Sequence, residues 1–284
     1  MSKNQSLISK HAKSFNWAGF FLSKETFRKC SMLYDFCRTV DDIVDEDGQL
    51  DVKKKKFLEF KSEFKNKKFS NNIIENIHKL LEEEGISHKI VNDLFDGVES
   101  DLKNEVNLTN KKNLLIYSYQ VAGTVGLMMA KILKVKNKQS LRGAVDLGVA
   151  MQLTNISRDV IEDYNRNRTY IKADFNSISQ TIFLANIFYQ SSFPAIKNIP
   201  IFSRFAILVA RRIYKRIGYE ILSQKNIETY NNAGKIHVSI LYKAVETFLS
   251  FFDFIKLFFV NSSAQEKQNE HIILHKEINL DERI

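Results

Sequence analysis

Ten glycines and two prolines are the only strong backbone breakers in this chain of 284 residues, well under the roughly 7% and 5% of average usage. Turn-rich sandwiches and barrels need many more, so the chain is expected to be all-α. Hydrophobic residues make up 44% and charged residues 26%, a globular composition far from the disordered regime. Near-helical spacing of apolar residues predicts helices over 24–46, 51–69, 71–84, 87–103, 111–134, 140–164, 179–192, 201–224 and 237–260. NRNRTYIKADFNS, after the sixth of these, reads as a loop. No fixed repeat or low-complexity linker divides the chain. One helical domain is therefore expected over 1–260, followed by a polar tail over 261–284.

Cys30 and Cys37 lie seven residues apart on one predicted helix, about 10 Å along its axis and beyond disulfide reach. They read as reduced cytosolic thiols. The N-terminus offers no secretory signal, and no window supplies the roughly 18 consecutive apolar residues of a membrane span. A cytoplasmic protein is expected. The formal charge of +9 favours anionic partners, whether nucleic acid, phosphorylated small molecules or lipid. The run from Lys53 to Lys56 has no interleaved aromatic platforms, so it reads as a solvated helix face and not a nucleic-acid site. The six histidines show no metal-ligand spacing.

Two acidic helix faces remain. Tyr34, Arg38, Asp41 or Asp42, and Asp45 share one face of the first predicted helix, and Gln152, Asn155, Asp159 and Asp163 share one face of the sixth. A lone i, i+4 aspartate pair is ordinarily a solvated helix end, although its like charges cost a few tenths of a kcal/mol. Two matching faces, each with an arginine (Arg38, Arg158) and an amide or phenol, point to chemistry. Carboxylate and amide oxygens suit Mg²⁺, with Mn²⁺ as a substitute, and Mg²⁺ commonly completes its shell with substrate phosphates. A diphosphate clamped in this way becomes a good leaving group, aided by charge-assisted bonds from Arg38, Arg158 and Arg168. A carbocation left behind needs a dry, aromatic pocket, which 22 Phe and 10 Tyr could wall.

With Tyr119-Gln120-Val121-Ala122-Gly123-Thr124-Val125-Gly126 between them, these two segments resemble the squalene/phytoene synthases, all-helical isoprenoid synthases that join two allylic diphosphates head to head. The likeness runs from His11-Ala12-Lys13-Ser14-Phe15 to Tyr214-Lys215-Arg216-Ile217-Gly218-Tyr219-Glu220-Ile221, and is strongest toward bacterial phytoene synthases. It implies a helical bundle around a central apolar cavity. It also implies that Asp41, Asp45, Asp159, Asp163 and Asn155 hold Mg²⁺, while Tyr34, Arg38, Asp42, Gln152, Arg158 and Tyr214 contact or orient the diphosphates. His11, Lys13 and Ser14 would close over that region. Phe15, Tyr119, Ala122, Gly123 and Val125 would line the prenyl channel, and Arg168 and Tyr170 match the family's Arg-x-Tyr. Lys172 departs from the family's usual proline, and Lys235 matches a basic diphosphate contact only across a longer spacing than usual.

The implied reaction condenses two geranylgeranyl diphosphates through prephytoene diphosphate to phytoene, the last proton going to a tyrosine or to the released diphosphate. No NADPH is expected, and no GxGxxG follows a strand. Farnesyl diphosphate as substrate would instead make this a squalene or dehydrosqualene synthase. Monomer and homodimer both stay open. In the last predicted helix, Ser239, Lys243, Glu246, Ser250, Asp253 and Lys256 form one narrow polar stripe, and six phenylalanines crowd the rest. That wide apolar face suits either core packing or a dimer interface on one hand, or peripheral membrane contact on the other.

Overall fold

Helix α1 (Lys24–Asp45) starts at Ser23, whose hydroxyl accepts the Thr26 N–H at 3.2 Å. Cys30, Leu33, Phe36, Val40 and Val44 are buried every third or fourth residue, which leaves Arg38, Asp41, Asp42 and Asp45 on a different face. The computed structural model describes residues 17–108, 110–260 and 269–284. Helices α2 (Leu50–Lys65), α3 (Asn72–Glu84) and α4 (His88–Ser100) pack around α1. Phe36 sits among Phe60, Phe64 and Phe95 at ring-centroid distances of 6.0, 5.7 and 5.9 Å. Burying each such ring is worth about 1.5–3 kcal/mol, so this aromatic cluster fixes the helix that carries the first aspartate pair.

The predicted helix 111–134 is three pieces end to end: α5 (Lys111–Ser118), a π-helical turn (Tyr119–Gly123) and α6 (Thr124–Ile132). Beside it runs α7 (Lys138–Arg158), the axis of the bundle. A Cβ on Gly148 would stand 2.2 Å from the Ala122 carbonyl oxygen, and one on Gly126 2.3 Å from that of Ala144. Glycine is therefore required at both positions for the two backbones to touch. The predicted helix 140–164 breaks at Asp159, which adopts φ −106° and ψ 17°, and resumes as α8 (Val160–Asn165). The Tyr230 hydroxyl, on the unpredicted short helix α11 (Ile227–Asn232), lies 2.9 and 2.7 Å from the Ser157 and Arg158 carbonyls freed there.

The loop after α8 is pinned by a two-residue parallel bridge between β1 (Val106–Asn107) and β2 (Arg168–Thr169). Helix α9 (Phe175–Ala195) starts four residues earlier than its periodicity predicts because Asp174 caps it, accepting the Ser177 N–H at 2.7 Å. Its Pro194 lies in the last turn, where the chain passes into a 3₁₀ turn (Ile196–Asn198). Helices α10 (Ile201–Leu222) and α12 (Ile240–Phe259) then pack on one another.

Two sequence expectations are corrected here. The core-packing reading of the α12 apolar face fails, because the middle of its polar stripe points inward: Glu246 and Ser250 are buried, and Arg212 of α10 binds Glu246 and Asp253, each at 2.9 Å. Five of its six phenylalanines are exposed, and Phe254 is half-buried. Residues 269–284 are not a polar tail either. They form α13 (Asn269–Ile278) and a 3₁₀ turn (Leu280–Glu282), burying Leu274, Ile278 and Leu280. Lys111–Glu270 at 2.6 Å, Arg142–Asp281 at 2.6 Å and a two-pronged Arg283–Asp93 pair at 2.8 and 3.0 Å hold the segment down. The charges that make it read as solvated are the ones that dock it.

Candidate active site

The ends of α1, α4 and α7 meet α8 and the β2 loop around a cavity of about 710 Å³. Asp41, Asp42 and Asp45 enter it from α1, and Gln152, Asn155, Arg158, Asp159 and Asp163 from α7 and α8. The two acidic faces therefore share one space. The β bridge brings the loop over it, so that Arg168 binds Asp45 at 2.7 Å and Arg166 binds the other Asp45 oxygen at 3.2 Å. Arg158 grips its neighbour Asp159 through two bonds of 2.8 and 2.5 Å. Arg38 pairs with Asp42 at 2.5 Å, and Lys235 with Glu162 at 2.6 Å.

Asp41 and Asp163 form no ion pair among the described residues. Burial, and then the adjacent Asp45 carboxylate, push Asp41 up to about 7. Burial and Asp159 push Asp163 up to about 8. Each acid is thus crowded by a like charge in a partly dry space and holds its proton unusually long. Burial opposes the Arg168 charge, yet Asp101, Tyr170 and Asp45 outweigh it and hold that guanidinium above its usual value.

The donor set fits a divalent cation. The side-chain oxygen of Asn155 is buried and has no hydrogen-bond partner, and Asn155 lines the same cavity as the two crowded carboxylates. A hard cation would satisfy the orphaned oxygen and relieve both acids. Among the described residues no group of three His, Cys, Asp or Glu side chains closes a metal shell unaided. Mg²⁺ keeps waters and takes phosphate oxygens, so a partial protein shell is the form it ordinarily uses.

Asp41, Asp42, Asp45, Arg38, Gln152, Asn155, Arg158, Asp159, Asp163, Arg168 and Tyr170 all line the cavity. Tyr34 and Tyr214 are not among the residues that line it. Burial pushes the Tyr34 phenol up to about 12 and raises Tyr214, with Arg38 and Asp41 among the charges acting on the first and Arg158 and Asp159 on the second. Tyr119 is fully buried, its hydroxyl bonded to Asp93 at 2.7 Å, and Gly123 is wedged between Tyr119 and Val145. Neither is among the residues that line this cavity. Ala122 and Val125 are half-buried on the same rod, outside that lining. His11, Lys13, Ser14 and Phe15 lie outside the described residues.

Asp101, Tyr117, Glu162 and Arg166 also line the cavity and escaped the sequence reading. The hydroxyls of Tyr117 and Tyr170 donate to the two Asp101 oxygens at 2.7 and 2.8 Å. The only signal for Asp101 was an acid at a helix end, which is commonplace on a surface.

The family model for squalene/phytoene synthase matches residues 8–177. A 15-cis-phytoene synthase of Pantoea ananas is 27% identical over 243 residues, covering 74% of this chain and 78% of that one. A second, from a Paracoccus strain, is 33% identical over a shorter stretch of 147 residues, or 45% of this chain and 48% of its own. Among solved structures, a dehydrosqualene synthase in complex with ligand superposes with a TM-score of 0.71 at 26% identity, over 88% of this chain and 94% of the other. The squalene synthase HpnC from Alicyclobacillus acidocaldarius, with a TM-score of 0.63 at 17% identity over 77% and 91%, shares the all-α fold. The chain belongs to the squalene/phytoene synthase family of prenyltransferase-type enzymes.

Proposed function

We propose that this enzyme joins two geranylgeranyl diphosphates head to head, through prephytoene diphosphate, to phytoene. The observation that carries the proposal is the pair of aspartate faces opening on one cavity, with the unsatisfied Asn155 oxygen among them. The choice of a twenty-carbon substrate draws on the phytoene synthases among its relatives. Asp41, Asp45, Asp159, Asp163 and Asn155 would hold Mg²⁺, which when bound stabilises the charge that grows on a departing diphosphate. Arg158, Arg168 and Lys235, now held by Asp159, Asp45 and Glu162, are the cations positioned to turn onto phosphate oxygens. Tyr34 and Tyr214 keep their protons at neutral pH, so neither phenol is poised to accept one. We therefore assign the final proton to the released diphosphate. The partner proposed for the outer surface is lipid, in which both substrate tail and product dissolve.

The likeness to a dehydrosqualene synthase structure along most of the chain supports one second reading, the same chemistry on farnesyl diphosphate. Purified protein incubated with Mg²⁺ and either diphosphate, with and without NADPH, decides between them by the hydrocarbon formed. Phytoene from the longer substrate is expected; a fifteen-carbon preference would replace this reading, and no head-to-head product from either would end both.

A further inference from the structure

Helix α12 is built backwards for a helix that closes a bundle. Its acids bind Arg212 beneath it, while Phe248, Phe252 and Phe259 are 66%, 53% and 84% exposed. The apolar surface continues past the helix. Phe254 meets Phe258 at 5.6 Å and Phe205 at 6.5 Å, and Phe205 meets Phe21 at 4.9 Å. Next to these in the chain, Phe20 and Phe202 are 76% and 89% exposed. The Trp17 N–H bonds the Thr247 hydroxyl at 2.9 Å, which ties the first described residues to α12. Three segments remote in sequence thus contribute to one exposed aromatic surface, a feature that marks partner or membrane contact sites.

Most charges beside it are positive, although Glu25, next to Lys24, is exposed as well. Glu246 and Asp253 are turned inward, whereas Lys256 is exposed and stands 5.7 Å over the Phe193 ring. Lys197 reaches the Phe258 and Val260 carbonyls at 3.4 and 3.0 Å, at the C-terminal end of the same face. Lys24 follows Phe21 closely and Arg204 adjoins Phe205 in the chain. A second copy meeting this face about a two-fold axis would set these cations against their own repeats. A surface of anionic headgroups over acyl chains complements both the charge and the rings. No helix among the described residues is long and apolar enough to cross a membrane, so contact would be from one side.

We propose that this three-segment surface docks the enzyme on an anionic bilayer, with the phenylalanines among the acyl chains and the lysines at the headgroups. This deepens the lipid partner proposed above. Vesicle binding reads it independently of the head-to-head reaction, so either can fail alone. The test is cosedimentation of the full chain with vesicles of phosphatidylcholine, with or without added phosphatidylglycerol. Binding to the anionic vesicles, weakened by salt, is expected. Phe252→Ser with Phe259→Ser should lower partitioning at least about tenfold, and Lys256→Gln about fivefold, with melting temperatures unchanged because these side chains are exposed. Equal binding to neutral and anionic vesicles, or variants that bind like the parent, would overturn the proposal. So would a dimer that the phenylalanine variant converts to monomer, which would make the face an interface between copies.

Discussion

At Asp163, burial and the neighbouring Asp159 hold a proton that an ordinary carboxylate has long released. The folded value, about 8, lies above the usual 3.8, and Asp41 at about 7 behaves alike. The folded chain therefore binds these protons where the unfolded chain does not. Their stabilising effect is complete below the usual carboxylate value and is lost as pH rises through 7 and 8. Solvent reaching the cavity reduces the effect to about 2–4 kcal/mol for Asp163. Metal-free protein should melt at falling temperature across that window, and Asp163→Asn should melt higher than the parent above pH 8 with little difference in acid. Mg²⁺ competes with those protons, so it should raise the parent's melting temperature more at the alkaline end. Turnover should respond oppositely: Asp41→Asn or Asp159→Asn is expected to lose at least about 10²–10³-fold in rate, with unchanged far-ultraviolet circular dichroism.

Between α7 and the rod of α5, the π turn and α6, contact is backbone on backbone. Gly148→Ala would press a methyl carbon into the Ala122 carbonyl, and a loss of about 1–3 kcal/mol is expected in denaturant titration. Such glycines were visible in VAGTVGLMMA and LGVAMQ as small residues, and the acidic faces were visible because a helical period of 3.6 aligns residues four apart. The periodicity did not reveal the break at Asp159, since each flanking turn is helical and the stop is stabilised from outside by Tyr230. Nor could it show Asp101 beside Tyr117 and Tyr170, because a two-residue bridge between remote loops makes that meeting. Helix α12 misleads for a related reason. Its stripe is plain in the sequence, but the inward direction depends on Arg212 from another helix.

Across the whole molecule, α13 and the turn after it pack on the fold without contributing a residue to the cavity lining. Asp146, buried, lies 3.2 Å from His271, and Asp93 takes both prongs of Arg283 as well as the Tyr119 hydroxyl. Removing residues 269–284 should cost about 3–5 kcal/mol by taking these partners from buried Asp146 and half-buried Asp93, seen as a lower melting temperature with the helix content of the remainder retained. The charge distribution carries one more consequence. The chain is positive by nine, yet the described residues around the cavity bring nine acidic side chains against five cationic ones, and even with Asp41 and Asp163 protonated the acids keep the excess. A diphosphate arriving bare meets a repelling mouth on an otherwise attracting body. Productive capture then has a sequence in time: the divalent ion enters before the anion or escorts it, and titrating magnesium-free enzyme with pyrophosphate should yield only feeble heat.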